Sequence, residues 1–392
     1  VTSGTAGGRA ERAKATDGYG TVRLLAAFAV IVDHAAELTG SGGSVLPSRF
    51  GVDLGAVAVA VFMAMSGYLV IQSWIRDPSV WRFTVRRALR IVPGLAVVLL
   101  LSATVLGPVF TTMPVSDYFQ AGPTWQYIWH NLELFPQQYA LPGVFTDNPY
   151  PNVVNGSLWS IPVEVLGYGG VALLGLLGVA KKRRYLAIVV VLVLGALLQR
   201  ILTNQVDLPS TLLLTPTLPL IQYLAIYGVS VAMYTYREHV RFSWAGVAVA
   251  LGVEVVMYAS ATTEVTRLVT VPYLALALAS LMPRRLWVPQ SVGMASYGIY
   301  LYGFPTEQVV VHFGARSTVL VALLSLPIAF VLGMLSWHIV EKPCMNLRSK
   351  IFRASLERSR RKEQEELVNA QTVVIPVVEP VVEPAVETSG PR

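Results

Sequence analysis

The 392-residue chain is short of nearly everything a water-soluble protein is rich in. Charged residues make up only 14% of it, against about 25% in a soluble domain, while 54% is hydrophobic and the mean hydropathy is +0.56. That balance excludes a soluble globular fold and predicts an all-α integral membrane protein. There is one cysteine, Cys344, which excludes an internal disulfide and any cysteine-based metal cluster. No Gly-x-Ser-x-Gly or other nucleophile signature is present, so a serine acyl-enzyme route lacks support. The first twenty residues are polar and lack an apolar core followed by a small-residue cleavage site. The first hydrophobic stretch is therefore expected to stay as a membrane helix.

What is present is a series of apolar stretches long enough to span a bilayer. They lie at about 22–40, 52–75, 90–110, 157–180, 185–203, 211–234, 243–261, 265–282, 291–312 and 318–340. With the N-terminus inside, 26 of the 30 Lys and Arg residues fall on the inner side. Only Arg49, Arg200, Arg267 and Arg316 fall outside, and the longest outer loop, 111–156, has none. The positive-inside rule then predicts about ten transmembrane helices, both termini cytoplasmic, in the inner (plasma) membrane. The net charge of +7 sits in those inner segments, which argues against a nucleic-acid partner. Residues 1–20 read as a disordered cytoplasmic lead and 21–345 as the membrane domain. Residues 346–392 read as a basic juxtamembrane helix on the anionic inner leaflet, then a disordered tail repeating Val-Val-Glu-Pro. The Ala/Val/Gly/Arg-rich usage suggests a bacterial chain.

The first apolar stretch contains RLLAAFAVIVDH, residues 23–34. Eleven steps of an α-helix return to within about 20° of the starting direction and climb roughly 16 Å. Arg23 near one surface and His34 near mid-depth would thus share a face. An ionisable residue inside a membrane helix is costly and points to function. His34 is the one histidine of five placed deep in a span, and it can take and return a proton near neutrality. A histidine bonded between helices is the plainer alternative. Glu37, three residues on, could orient the imidazole or raise its basicity, and Asp33 points about 100° away.

The segment WRFTVRRALRIVP carries Arg82, Arg86, Arg87 and Arg90 on the inner side, with the last three on a shared helical face. It reads either as positive-inside anchoring or as a planar-fork site for phosphate oxygens. The second reading suits a cytosolic molecule with phosphates at one end and a reactive tip some 15 Å inward by the helical rise. Coenzyme A has that layout. NGSLWSIPVEVLGYG, 155–169, starts the fourth span from the outer side with Ser157, Trp159 and Glu164, groups that could bind acceptor hydroxyls. The outer loop's Trp125, Tyr127, Trp129, Tyr139 and Tyr150 suit either an interfacial belt or a platform for sugar rings.

Several of these elements, in this order, resemble the acyltransferase family 3 membrane proteins, over about residues 20–345. The matches are Arg23-x10-His34, then Arg86-Arg87-x-x-Arg90-x-x-Pro93, and Ser66-Gly67 late in the second span. They continue with Gly156-Ser157-Leu158-Trp159-Ser160 and Glu164, then SYGIYLYGFP, then Glu341-Lys342-Pro343. The family's usual acidic residue and second phenylalanine before Ser-Gly are replaced here, with Ala60 and only Phe62 present. Tyr302, Gly303 and Phe304 stand where Trp-His is frequent, and the family's frequent hydrolase-like extra domain is expected to be absent, a short basic and repetitive stretch standing after the last span. The resemblance implies transfer of an acyl group, most simply acetyl, from acetyl-CoA to a hydroxyl of a cell-envelope glycan or glycolipid. A trehalose mycolate is one open acceptor. It further implies His34 as general base with Arg23 and Glu37 beside it. Arg86, Arg87, Arg90 and Arg23 would hold the donor phosphates, and Glu164, Ser157 and Trp159 would hold the acceptor. The competing reading is a proton-coupled transporter of a glycolipid or anion using His34 as a relay, although no transporter-like internal repeat is visible.

Overall fold

The computed structural model describes residues 18–46, 53–179, 183–206, 209–212, 215–258 and 263–353. The chain is mostly helical, and each of the ten apolar stretches contains a helix. In chain order these are α1 (Gly18–Leu38), α2 (Leu54–Arg76) and α3 (Val80–Leu101), which runs on through a π turn, Ser102–Leu106, to Phe110. Two short helices follow, α4 (Val115–Gln120) and α5 (Gly122–Glu133). Then come α6 (Ser160–Leu176, led by a 3-10 turn at Gly156–Trp159), α7 (Tyr185–Leu202), α8 (Thr217–Thr235), α9 (Trp244–Met257) and α10 (Thr263–Leu281). The series ends with α11 (Gln290–Met294), α12 (Ser296–His312) and α13 (Thr318–Ser336). Among the described residues, seven helices are long and apolar enough to cross a membrane. Of the others, α1 carries Arg23, Asp33 and Glu37, α9 has 14 residues and α12 has 17.

Some boundaries differ from the sequence reading. The third helix begins at Val80 rather than near 90, so the arginine-rich segment forms its first three turns. Ser79 starts it by accepting a hydrogen bond from the Arg82 amide (3.5 Å). Residues 211–216 begin not a helix but a two-residue antiparallel pairing, Thr211–Leu212 with Thr215–Pro216. The expected N-terminal lead lies outside the described residues up to position 17, and positions 18–20 already belong to α1. Contacts divide the chain after Met345; in the second unit residues 346–353 are helical, and the expected tail from 354 onward lies outside the described residues.

Helix α1 is central, packing on α2, α10, α12 and α13. Membrane helices gain little from apolar burial against one another, so close approach of backbones matters most. Three glycines provide it. A Cβ on Gly67 would sit 2.4 Å from the Tyr227 carbonyl of α8, and one on Gly303 would sit 2.7 Å from Ile31 of α1. On Gly333 it would lie 2.5 Å from the Ile299 backbone of α12. The apolar side chains left outside, such as Val193, Val255, Val256 and Leu323, match a lipid-facing surface.

Helix α12 is interrupted by Pro305, which has no N–H to give the Leu301 carbonyl one turn back. Asn155 supplies the missing donor, its Nδ2 lying 3.0 Å from that carbonyl. Its Oδ1 accepts from the Ser157 amide (3.2 Å) and hydroxyl (2.6 Å), which starts the turn into α6. One turn further along α12, Gln308 is fully buried and fully used. Its amide donates to the Tyr150 and Val153 carbonyls (2.9 and 2.7 Å), and its oxygen accepts from Asn148 (2.6 Å). The 111–156 segment is thereby fastened onto the broken helix.

Gly67→Ala is expected to lower the melting temperature of the purified protein by an amount corresponding to ~1–3 kcal/mol, because the backbone of α8 has to yield. Gly170→Ala, where a Cβ meets nothing within 4 Å, is expected to melt with the wild type.

Candidate active site

Two cavities lie on either side of a shared wall. The first, about 110 Å³, is lined by Arg23, Arg87, Arg90, Ser66, Glu164 and Tyr168 among others. The second, about 480 Å³, is lined by His34, Glu37, Trp159, Gln222, Glu264 and Arg267 among others. Val59 and Tyr300 belong to both linings. Their charges differ in sign: three arginines and one carboxylate face the first. Four carboxylates (Asp33, Glu37, Asp53 and Glu264) face the second, with Arg267 and His34. Arg23 and His34 stand on one helix and open into different cavities.

Arg87 and Arg90 of the first cavity are held by their surroundings rather than left loose. Arg90 donates to Glu341 (2.9 Å) and to the Met294 carbonyl (3.2 Å), and its guanidinium lies over Tyr297 and Trp337. Glu341 is itself fully buried and accepts from Ser336 (3.1 Å). This gives the Glu-Lys-Pro segment a physical task, which is to orient Arg90. Arg87 lies over Phe83 and Tyr168 and reaches Ser73 at 3.5 Å. Its Nε is buried with no hydrogen-bond partner among the described residues, a donor that an anionic oxygen would satisfy.

Arg86 is placed differently. It donates to the Asp77 carboxylate and to the Asp77 carbonyl (3.2 Å), and it is not among the residues lining the cavity. Arg82 holds the same carboxylate through Nε (2.9 Å) and Nη2 (2.6 Å). Hydrogen bonding from Arg82 and then Arg86 outweighs the effect of burial, and Asp77 is held at about 2, below its usual 3.8. The turn between α2 and α3 is therefore locked by charge.

The three residues assigned to the acceptor separate. Trp159 lines the His34 cavity and packs on Tyr223, ring centroids 5.5 Å apart. Glu164 faces the arginine cavity instead, where it accepts from Ser66 (2.9 Å) and Tyr168 (2.6 Å). Ser157 is buried and spends its hydroxyl on Asn155, while its carbonyl accepts from Tyr300 (2.7 Å). Tyr300 also accepts from Ser160 (2.7 Å), so the start of α6 fixes the dividing wall.

Around His34, Glu37 lines the same cavity and lies close to the Tyr150 phenol. Asp33 turns away to accept from the Gly55 amide (2.9 Å) and the Val45 amide (3.0 Å), tying down the start of α2. Among the described residues, the carboxylate within ion-pair range of His34 is Glu307 of α12, 3.8 Å from Nδ1. The imidazole also meets the Phe304 ring edge-on at 5.1 Å. The sequence reading overlooked Glu307. Its signal was available, since Glu307 is the only charged residue in the apolar stretch 291–312.

Comparison with known proteins adds an independent line. A family model described as "Acyltransferase domain" matches residues 18–338. The chain is 30% identical over 338 residues to an "O-acetyl transferase" of Shigella phage Sf6, covering 83% of this chain and 94% of that protein. It is 27% identical over 359 residues to "Nodulation protein 10" of Rhizobium leguminosarum bv. viciae, covering 85% and 94%. No solved structure matches.

Asp77 yields a pH prediction with a definite sign. A carboxyl whose folded value is depressed contributes stability above its unfolded value and loses it as pH falls through the folded one. Asp77→Asn is therefore expected to melt below the wild type at pH 7, by the same margin down to about pH 4. The gap should close only as pH falls toward 2. Melting curves of both proteins across that range check this.

Proposed function

This chain belongs to the acyltransferase domain family and is a multi-pass membrane O-acetyltransferase, and from that premise we propose how its two cavities divide the reaction. The donor is acetyl-CoA from the cytosol, its phosphates held by Arg23, Arg87 and Arg90 in the arginine-lined cavity. The acceptor is a hydroxyl of a cell-envelope glycan or glycolipid, held in the His34 cavity with Trp159 and Tyr223 as a stacking face. The observation that carries this reading is the pair of adjacent cavities of opposite charge, joined at Val59 and Tyr300, with Arg23 facing one and His34 the other. Acidic lining disfavours a second anion but suits hydroxyls, which donate to carboxylates.

The donor supplies an acyl group activated as a thioester. The chain's own residues supply position and proton handling. His34 takes the proton from the acceptor hydroxyl as that oxygen attacks and returns it to the departing sulfur. Arg90 is kept in place by Glu341, and Arg86 serves through Asp77 by fixing the turn that leads into Arg87 and Arg90. Glu37 lines the cavity beside His34. The ten helices then run with both termini cytoplasmic in the plasma membrane, the arginine cavity facing inward and the His34 cavity outward. Acetylation would cross the membrane without either substrate doing so.

Acetyl-CoA turnover by the protein in lipid nanodiscs tests the division. His34→Ala is expected to lower CoA release by about 10²–10⁴-fold while donor binding persists. Arg87→Ala is expected to raise the KM for acetyl-CoA at least about tenfold, the loss of one charge-assisted contact. Unchanged turnover in His34→Ala together with an unchanged KM in Arg87→Ala would overturn the reading.

A further inference from the structure

Glu307 is a buried carboxyl group in the described bundle that the division of labour above leaves without a task. It is fully buried, and neither carboxylate oxygen has a hydrogen-bond partner among the described residues. The contrast with its neighbour Gln308, whose donors and acceptor are all used, shows that α12 can satisfy polar groups at this depth. A buried carboxylate with nothing bound to it is expensive and needs a reason. The group it faces is His34, whose Nδ1 is likewise sealed from solvent and unpartnered, 3.8 Å away.

We propose that Glu307 is the positioning residue of the acyl transfer. It holds His34 in the tautomer with hydrogen on Nδ1 and opposes the positive charge that the ring gains during proton transfer. The inference rests on His34 being the base. The present separation is less than an ångström longer than a hydrogen bond, and a small rotation of either side chain closes it. With hydrogen on Nδ1, Nε2 carries the lone pair, and the exposed part of the ring lies toward the cavity that would hold the acceptor. The acceptor O–H proton moves to Nε2 as the new C–O bond forms. The C–S bond breaks with its electron pair on sulfur, and the same proton passes from Nε2 to that sulfur. The Nδ1 hydrogen stays directed at Glu307 throughout, Glu307 being the third group behind the acceptor hydroxyl and its base.

The surroundings leave this task to Glu307. Of the charged groups that line the cavity, Asp33 is occupied by the Val45 and Gly55 amides, and Glu37 lies close to the Tyr150 phenol. Glu264 binds Gln222 (2.7 Å) and Arg267 (2.5 Å). Asp53 lines the cavity from the start of α2. The frame between α1 and α12 is tight. Gly303 lets α12 meet Ile31 of α1, and a Cβ on Gly156 would strike the Phe304 ring (2.7 Å) that lies against the imidazole.

The test compares wild type with Glu307→Gln, Glu307→Asp and His34→Gln in nanodiscs, using acetyl-CoA as the probe. Glu307→Gln is expected to lower the rate of CoA release 10- to 100-fold with the KM for acetyl-CoA within twofold. Glu307→Asp, which keeps the charge but withdraws it from Nδ1, is expected to fall between. A second readout needs no donor: the rate at which diethyl pyrocarbonate modifies His34, followed by peptide mass spectrometry across pH. Its pH dependence is expected to be displaced by about one unit in Glu307→Gln, the change made by removing a nearby charge. Wild-type rates in both Glu307 variants with an unmoved modification profile, beside an inactive His34→Gln, would overturn the inference alone. A fully active His34→Gln would overturn the base reading and the inference with it.

Discussion

A charged side chain in an apolar helix has to be given a partner or a purpose, and α1 carries two such groups on one face, Arg23 and His34. Much of the described bundle can be read as the response to that constraint. Two helices bring carboxyl groups toward α1 at two depths, α6 with Glu164 and α12 with Glu307, while α3 adds Arg87 and Arg90, which share the sign of Arg23. The result is not one polar channel but two cavities of opposite sign. Between them stand Val59 and Tyr300, an aliphatic group and a phenol fixed by two hydrogen bonds. Under the proposed division, a wall of that kind would keep phosphate charge away from the acidic side while leaving only a thin separation for an acyl group to cross.

Holding this arrangement depends on how the broken helix α12 is repaired. Pro305 leaves the Leu301 carbonyl without its helical donor, and Asn155 fills the gap while also starting the turn that brings Ser160 to Tyr300. One residue thus couples the helix carrying Glu307 to the segment that sets the dividing wall. Gly156 and Gly303 allow the close contacts on either side. A polar motif that reads in isolation as a binding sequence is here chiefly a structural joint. The same holds for Glu341, which acts on Arg90, and for Asp77, which acts on Arg82 and Arg86.

The helical bundle was legible in the sequence because apolar runs of sufficient length have few other stable states in a bilayer. Every apolar stretch contains a helix. The apolar stretch from about 90 leaves out the first three turns of α3 because arginines do not count as apolar, although Arg82–Arg90 already have helical spacing. Arg23 and His34 stood out because a charge in a hydrophobic run is conspicuous. The partners were harder to see. Spacing along one helix suggested Glu37 for His34, but the carboxylate that faces the ring comes from a helix some 270 residues later, and separation along the chain carries no mark of proximity. Glu164 and Ser157 share a stretch with Trp159 yet turn to different neighbours, because the 3-10 turn at Gly156–Trp159 changes the direction of the side chains before α6 begins. Arg86 looked equivalent to Arg87 and Arg90 by composition, and only Asp77 distinguishes it.

The most direct measurement of the central claim uses an acyl-CoA analogue with a photoreactive group at the tip of its acyl chain. Irradiation of the complex in nanodiscs, followed by mapping of the labelled peptide, reports where the acyl end lies. If the nucleotide end is held by Arg23, Arg87 and Arg90, the label should fall on the segments around Val59, Tyr300 or His34, and Arg87→Ala should suppress it. Labelling confined to the lipid-facing surfaces of α7, α9 or α13, undiminished by Arg87→Ala, would contradict a donor held in the arginine cavity.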